Sequence, residues 1–167
     1  RQVAVDQDDL EKRSLSLKHY LDEVLLTLEP KLKQTSHSLT LEGDDTVTIT
    51  TYPGAIWKIV TNLVINSITH GYQPSEQGQL TLTVERIQDQ VMLKYHDDGC
   101  GIPIEHVGKI FEPFFTTARP QGRTGLGLHI VYNLVTQKLL GQIEVKSEVG
   151  KGTEFMITLP IGERLVG

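Results

Sequence analysis

The feature that most limits how this chain can fold is its repeated use of paired strands between helices. Segments with alternating apolar and polar residues come in neighbouring pairs, at residues 39–49, 80–95 and 143–159. Apolar residues at helical spacing occupy the stretches between them, at about 16–34, 54–70 and 125–140. Neighbouring strands favour hairpins, and the intervening helices can cover one face of the sheet. We therefore predict an α+β fold, a two-layer sandwich, and not a doubly wound parallel sheet.

Two local signals lead to further expectations about this fold. Pro30 lies inside the first helical stretch, where a proline removes a backbone hydrogen bond, so a kink or break is predicted there. Residues 39–41 and 47–49 alternate on either side of Gly43-Asp44-Asp45, which predicts a hairpin. A short helix is predicted around residues 105–110, within a long loop.

Composition limits the kind of protein rather than its activity. The chain has 167 residues, 38% apolar and 22% charged, which is typical of one globular domain. Its net charge of −5 argues against a nucleic-acid surface. A single cysteine rules out an internal disulfide and favours a reducing compartment. The polar residues 1–15 are interpreted as a linker from a missing domain, and residues 16–167 as the domain itself, so we expect a piece of a longer protein.

Two glycine-rich loops indicate a nucleotide site. The first, Asp97-Asp98-Gly99-Cys100-Gly101, follows a strand, and the second, Gly122–Leu128, opens a helix. Glycines let a backbone approach a phosphate, and the start of a helix adds N–H donors. A P-loop is excluded because Gly150-Lys151-Gly152-Thr153 lacks the earlier glycine and lies in a predicted hairpin turn. A dinucleotide fingerprint is excluded because both glycine loops lack its third glycine.

Two asparagines on the 54–70 helix are the next unusual feature. Asn62 and Asn66 lie four residues apart, so both amides share one helix face beside the apolar stripe. Asparagine is a poor helix former, which makes two of them inside a helix unusual. Taken alone, the pair is compatible with amides that pack against backbone. Together with Asp97 and the glycine loops, they become candidate catalytic residues.

At these residues the chain resembles the histidine-kinase and gyrase-type ATPase superfamily. Asn62–Asn66 is similar to its N box, and Asp97–Gly101 to its first glycine box, D-x-G-x-G. Phe111–Phe115 resembles the F box of sensor histidine kinases, and Gly125–Leu128 resembles the second glycine box. With the hairpin at Gly150–Phe155, the similarity covers about residues 53–160 in the right order. The implied fold is the Bergerat-type sandwich, a mixed, mainly antiparallel sheet covered on one face by three helices.

The resemblance implies a site for ATP and Mg²⁺. Asp97 would accept a hydrogen bond from the adenine amino group, since an ionised carboxylate is an acceptor only. Gly99 and Gly101 would let the chain pass close to the base, and Ile102 would form an apolar wall. Asn66 would hold Mg²⁺ through its side-chain oxygen. The other implied ATP-binding residues, most of them on the phosphate side, are His70, Arg119, Arg123, Thr124, Gly125, Leu126, Gly127 and Leu128.

The implied reaction is phosphoryl transfer rather than hydrolysis. Hydrolysing branches of the superfamily carry a glutamate that activates water where this chain has Asn62, and an amide cannot act as a general base. The resemblance therefore implies a protein-histidine kinase whose γ-phosphoryl group passes to a histidine. The alternatives are a gyrase-like or mismatch-repair-like ATPase, and a degenerate kinase that senses nucleotide or docks a partner. Thr69 and Ala118, which stand where many of these kinases carry a basic residue, keep the second alternative open.

The acceptor histidine is expected outside this sequence. None of the six histidines fits the motif H-[ED]-x-x-x-P that carries it in such kinases. The resemblance implies as partners a dimerisation and phosphotransfer domain of the same protein, which would be a homodimer, and the receiver domain of a response regulator. No nucleic-acid partner and no direct membrane contact are expected. The domain would be cytoplasmic, in a parent protein of the kind anchored in the bacterial inner membrane.

Overall fold

The computed structural model describes residues 10–115 and 127–162. The helices are α1 (Leu17–Lys33), α2 (Pro53–His70), α3 (Ile104–Val107) and α4 (Gly127–Asn133), which continues into a π-helical turn, Leu134–Lys138. The strands are β1 (Arg13–Ser16), β2 (Ser38–Gly43), β3 (Thr48–Thr51), β4 (Gln79–Ile87), β5 (Gln90–Asp97), β6 (Gln142–Glu148) and β7 (Gly152–Pro160). Within these ranges, no helix combines the length and the apolar character that crossing a bilayer requires.

The strands form a five-stranded sheet and a separate two-stranded one. The large sheet has the order β2-β4-β5-β7-β6, in which only the β2–β4 pair is parallel. Strands β1 and β3 pair antiparallel as the small sheet. The predicted mixed, mainly antiparallel sheet is therefore confirmed.

The helices α1, α2 and α4 cover one face of the large sheet. Alternate residues of the central strands point into the core, among them Leu82 on β4, Leu93 on β5 and Ile157 on β7. The apolar stripe predicted for α2 is buried against them and consists of Ile56, Ile59, Val60, Leu63 and Val64. Val131 and Val135 bury the corresponding side of α4 and its π-helical turn. The predicted two-layer arrangement is confirmed.

The hairpin predicted between residues 39–41 and 47–49 is wrong. Strand β2 pairs with β4 instead, in parallel, and the backbone N–H of Asp44 bonds to Val84 O, which keeps the turn on the large sheet. Strand β3 belongs to the small sheet, where it pairs with β1. Alternation reports which face of a strand is buried, but it does not report the partner strand. The sequence pattern therefore predicts that β2 pairs with β3, whereas each of these strands pairs with one that is distant in sequence.

Two boundaries also differ from the sequence-based expectations. Residues 13–15, assigned above to a linker, belong to β1 and pair with β3. Helix α1 runs through Pro30 to Lys33 without ending there. Pro30 lies in the last turn of an exposed helix end, where the loss of one hydrogen bond costs least.

Candidate functional site

The centre of the site is a buried carboxylate at the end of a central strand. Asp97 closes β5 and is only 5% exposed. Its Oδ2 accepts a hydrogen bond from Ser67 Oγ at 2.6 Å, and its Oδ1 accepts one from the backbone N–H of Gly99 at 3.0 Å. Each carboxylate oxygen therefore has a protein donor and keeps lone-pair capacity for a ligand.

A second hydroxyl group lies behind this carboxylate. Tyr95 Oη donates to Ser67 Oγ at 2.9 Å, so Tyr95, Ser67 and Asp97 form a chain of hydrogen bonds from β5 to α2 and back. Ser67 is 2% exposed and Tyr95 is 1% exposed. Burial of the Tyr95 phenol raises its pKa well above the ordinary value, and the negative charge of Asp97 adds to this effect. Tyr95 is thus a permanent donor in this chain.

The glycines of the first loop fit tightly against other backbone segments. A Cβ on Gly99 would lie 2.6 Å from Gly71 O, at the end of α2. Gly101 has φ +77° and packs under the carbonyl of Glu148 in the β6–β7 hairpin. The next residue, Ile102, donates its N–H to Ser147 Oγ at 2.8 Å. These glycines are required by contacts within the protein, whether or not a nucleotide is present.

Asp98 fixes the same loop from its outer side. Asp98 Oδ1 accepts hydrogen bonds from Tyr72 Oη at 2.7 Å and from the Gln79 backbone N–H at 2.8 Å. Partial burial raises the pKa of Asp98, but these two hydrogen bonds outweigh it, so the carboxyl pKa is below its ordinary value. Burial and the bond to Asp98 raise the pKa of the Tyr72 phenol. These contacts of Asp98 with Tyr72 and Gln79, here called the Asp98 latch, tie the loop after α2 to the end of β5.

The start of α4 lies close to the first of the two asparagines of α2. Asn62 is half-buried, and its Nδ2 donates to Lys58 O at 2.8 Å, one turn earlier. A Cβ on Gly127 would lie 3.6 Å from Asn62 Oδ1, so the first turn of α4 passes directly over the N box. Asn66 lies one turn further along α2 and is also half-buried. Gly127 of the second glycine box therefore lies close to Asn62, the first residue of the N box.

The remaining predicted residues divide into described and undescribed ones. His70 is the last residue of α2, and its carbonyl accepts a weak bond from Cys100 Sγ at 3.4 Å. Leu128 is half-buried in the first turn of α4 and packs on the core. The predicted phosphate-side residues outside the described ranges are Arg119, Arg123, Thr124, Gly125 and Leu126.

The segment at residues 104–115 differs in character from the buried loop. Ile104 and Phe114 are 88% and 64% exposed, and Phe114 has the left-handed φ of +67°. Two neighbouring residues hold this segment to the domain. Ile110 is 4% exposed and belongs to the core. The ring of Phe111 packs at 5.3 Å from the ring of Tyr132 and at 6.2 Å from that of Phe155. The Phe111 carbonyl also lies 3.2 Å from His129 Nδ1. An aromatic contact and a hydrogen bond, both made by Phe111, connect this segment to α4.

Asn66 carries a side-chain oxygen of a type that Mg²⁺ accepts as a ligand. Among the described residues, no group of three or more His, Cys, Asp or Glu side chains could form a metal cage. Mg²⁺ commonly uses one or two protein oxygens together with substrate phosphates, and an amide oxygen is a suitable ligand. Asn66 supplies one such oxygen on the helix that faces the start of α4.

The site predicted from the sequence does not include four residues that support it through hydrogen bonds, namely Ser67, Tyr95, Tyr72 and Ser147. Ser67 had a detectable signal, because it follows Leu63 and Val64 by four and three residues and so occupies the next position of the buried stripe. A hydroxyl at such a position needs a partner. Tyr72 and Ser147 carried no comparable pattern, because their partners are 26 and 45 residues away in sequence.

Comparison with known proteins agrees with this geometry. Residues 51–163 match the family model described as "Histidine kinase-, DNA gyrase B-, and HSP90-like ATPase". The alginate biosynthesis sensor protein KinB of Pseudomonas aeruginosa is 35% identical over 153 residues, a match that covers 91% of this chain and 25% of that protein. The chain thus spans about a quarter of that relative's length.

Solved structures give the same result. The catalytic domain of histidine kinase ThkA superposes with a TM-score of 0.79 at 25% identity, covering 91% of this chain and 97% of that one. ThkA in complex with response regulator protein TrrA gives 0.75 at 26% identity, covering 90% and 42%. The chain belongs to the ATPase family of histidine kinases, DNA gyrase B and HSP90, and among its relatives are sensor histidine kinases.

Proposed function

We propose that this domain binds Mg-ATP and donates the γ-phosphoryl group to a histidine on a separate dimerisation domain. The carrying observation is the buried carboxylate of Asp97, which accepts a hydrogen bond from Ser67, the residue that follows Asn66 on α2. In this proposal Asp97 accepts the adenine amino group, and Ile102 and the first glycine loop bound the base. The first turn of α4, with Gly127 and Leu128, receives the phosphates. His70 at the end of α2 is a further phosphate contact.

Asn66 is the proposed Mg²⁺ ligand in this arrangement. When bound with ATP, the ion would neutralise charge that develops on the phosphates during transfer. The protein's own part is to position: α2 carries Asn66, and α4 starts above Asn62. Arg119, Arg123 and the backbone of Thr124, Gly125 and Leu126 complete the proposed phosphate site.

The neutral Asn62 favours transfer over hydrolysis. The Nδ2 of Asn62 donates to Lys58 O, so its Oδ1 points away from that carbonyl. An amide side chain has no titratable group that could act as a base. A water molecule there would find a hydrogen-bond acceptor but no base of useful pKa. The γ-phosphoryl group is then free for a nucleophile brought by another domain. A gyrase-like ATPase is disfavoured on this ground.

The proposed partners follow from the relatives and are of two kinds. The chain covers a quarter of the KinB sensor protein. We propose that the phosphoacceptor domain is a separate part of the same parent protein, which acts as a homodimer. ThkA, a structural relative, has been solved with a response regulator protein, and we propose an onward transfer to such a receiver aspartate. A cytoplasmic location of the domain, in a parent anchored in the inner membrane, is part of the same proposal.

Transfer and hydrolysis are distinguished by one labelling experiment. The domain is mixed with γ-labelled ATP, Mg²⁺ and the dimerisation domain of its parent protein, and labelled protein and free phosphate are measured together. We expect label on the acceptor domain and almost no free phosphate without it. Steady phosphate release by this chain alone would contradict the kinase in favour of an ATPase. ATP binding with neither product would support a nucleotide-sensing module instead.

A further inference from the structure

We infer that Ser67 and Tyr95 are positioning residues that make the site select a 6-aminopurine over a 6-oxopurine. The inference rests on the proposed ATP site and concerns how Asp97 is held within it. Neither side chain is placed to touch a base, since both are almost completely buried behind the carboxylate. Their effect on the ligand would pass through Asp97 alone.

The direction of every proton in the chain is determined. A carboxylate carries no proton, so the 2.6 Å contact between Ser67 Oγ and Asp97 Oδ2 requires the proton of Ser67. Ser67 has no second proton, and its contact with Tyr95 Oη at 2.9 Å therefore uses the phenol proton. Both protons point toward the carboxylate. Asp97 is surrounded by donors on its protein side and presents only acceptor capacity to the ligand.

The same bonds fix the plane of the carboxylate. Ser67 binds Oδ2 from α2, while the Gly99 N–H binds Oδ1 from the following loop. Two donors on different oxygens prevent rotation, so the free lone pairs have one orientation. An adenine amino group can donate to them, whereas the carbonyl oxygen of a 6-oxopurine would meet an acceptor and be repelled. Specificity of this kind depends on polar groups that cannot re-pair.

Removal of the Ser67 hydroxyl would relax this constraint. In Ser67→Ala the carboxylate keeps a single fixed donor, and the vacated polar space can admit a water molecule. Water both donates and accepts, so it can pair with a carbonyl oxygen as readily as with an amino group. The site would lose part of its preference and not only its affinity.

The test compares ATP with inosine triphosphate, a 6-oxopurine nucleotide, by calorimetry on the same protein. For Ser67→Ala we expect about tenfold weaker ATP binding and an ATP-to-ITP preference reduced by about tenfold. Tyr95→Phe should reduce the preference by about threefold, because Ser67 still donates but loses its own support. The double variant should equal Ser67→Ala, since the chain acts as a unit.

Tyr20→Phe is the matched control. Tyr20 is also buried, and its Oη donates to Pro53 O at 3.0 Å, away from Asp97. Tyr20→Phe removes the same hydroxyl group as Tyr95→Phe at a similar structural cost, and we expect it to keep the wild-type preference for ATP over ITP.

An unchanged preference for ATP over ITP in both Ser67→Ala and Tyr95→Phe would overturn the inference while leaving the ATP site intact. If Ser67→Ala does not fold, Tyr95→Phe decides alone, with unchanged preference as the contrary result. Wild-type protein without any preference for ATP would overturn the proposed function and this inference with it.

Discussion

The base end and the phosphate side of this site are built in opposite ways. At the base end, Asp97, Ser67 and Tyr95 are each 5% exposed or less and are joined by directed hydrogen bonds. On the phosphate side, the segment at 104–115 carries Ile104 and Phe114 largely in solvent. The segment is attached by Ile110, which is buried in the core, and by Phe111, whose ring contacts Tyr132 and Phe155. Hydrogen bonds fix orientation, whereas apolar contacts fix proximity and tolerate sliding.

The difference separates two tasks within one nucleotide site. Recognition of a flat base benefits from polar groups that are already in place, because no energy is then spent on ordering them. Phosphoryl transfer to a second protein domain needs a surface that the other domain can approach. The segment that carries these exposed side chains contacts Tyr132 on α4 through Phe111, and we propose that the first turn of the same helix binds the phosphates.

The largest effect is expected from Asn66→Ala. Loss of the proposed metal ligand should reduce phosphotransfer by about 10²–10³-fold, the usual cost of one group that stabilises developing charge. Binding of ATP without Mg²⁺ should change by less than about twofold, because the base end is untouched. Asn133→Ala, which removes an exposed amide from α4, is the control and should transfer normally. Equal loss of metal-free binding and of transfer would contradict the separation of the two ends.

Phe111→Ala should have the next largest effect, on stability. The ring packs between Tyr132 and Phe155, and truncation of such an aromatic costs about 3 kcal/mol. Urea unfolding measures the change, and the protein should still prefer ATP over ITP where it is folded. Phe114→Ala is the matched control, expected within about 0.5 kcal/mol of wild type because that ring is mostly in solvent. Comparable losses for the two phenylalanines would show that Phe111 does not anchor the segment.

The elements with local signals could be predicted from the sequence, and the elements that depend on distant partners could not. The buried stripe of α2 follows from the spacing of apolar residues within the helix, and its prediction is confirmed. The β4–β5 and β6–β7 hairpins pair strands that are adjacent in sequence, and both predictions are confirmed. Strands β2 and β3 were paired with each other because nothing in either strand identifies β4 or β1 as the partner. The π-helical turn after Asn133 has an apolar pattern like that of an ordinary helix, and it was missed for that reason.

The site divides in the same manner. Asp97, Asn62 and Asn66 stand out because polar residues occupy places where apolar ones are expected, and the fold brings their elements together. Ser67 is likewise a polar residue at a position where the apolar stripe of α2 predicts an apolar one. Tyr95 looks like any inward strand residue, and its hydroxyl gains meaning only from Ser67, 28 residues earlier. Supporting residues of this kind depend on three-dimensional contacts that spacing does not encode.

The smallest predicted effect concerns the latch at Asp98. Its pKa is lowered in the folded protein, so its contribution to stability is present above the ordinary carboxyl pKa. That contribution is lost as the pH falls through the lower, folded-state pKa. In Asp98→Asn, urea unfolding should show reduced stability at neutral pH and a smaller decline between about pH 5 and pH 2 than wild type. An unchanged pH profile would mean that the bonds from Tyr72 and Gln79 do not stabilise the fold.

The most direct test of the adenine site is calorimetry of Mg-ATP with wild type, Asp97→Asn and Asp98→Asn. The two substitutions remove the same charge at adjacent positions, one inside the buried chain and one in the outer latch. We predict that Asp97→Asn weakens ATP binding by about a hundredfold, because a donor amide replaces half of the acceptor. Asp98→Asn should stay within about threefold of wild type. ATP binding by Asp97→Asn at wild-type affinity would contradict the assignment of Asp97 as the group that reads the base.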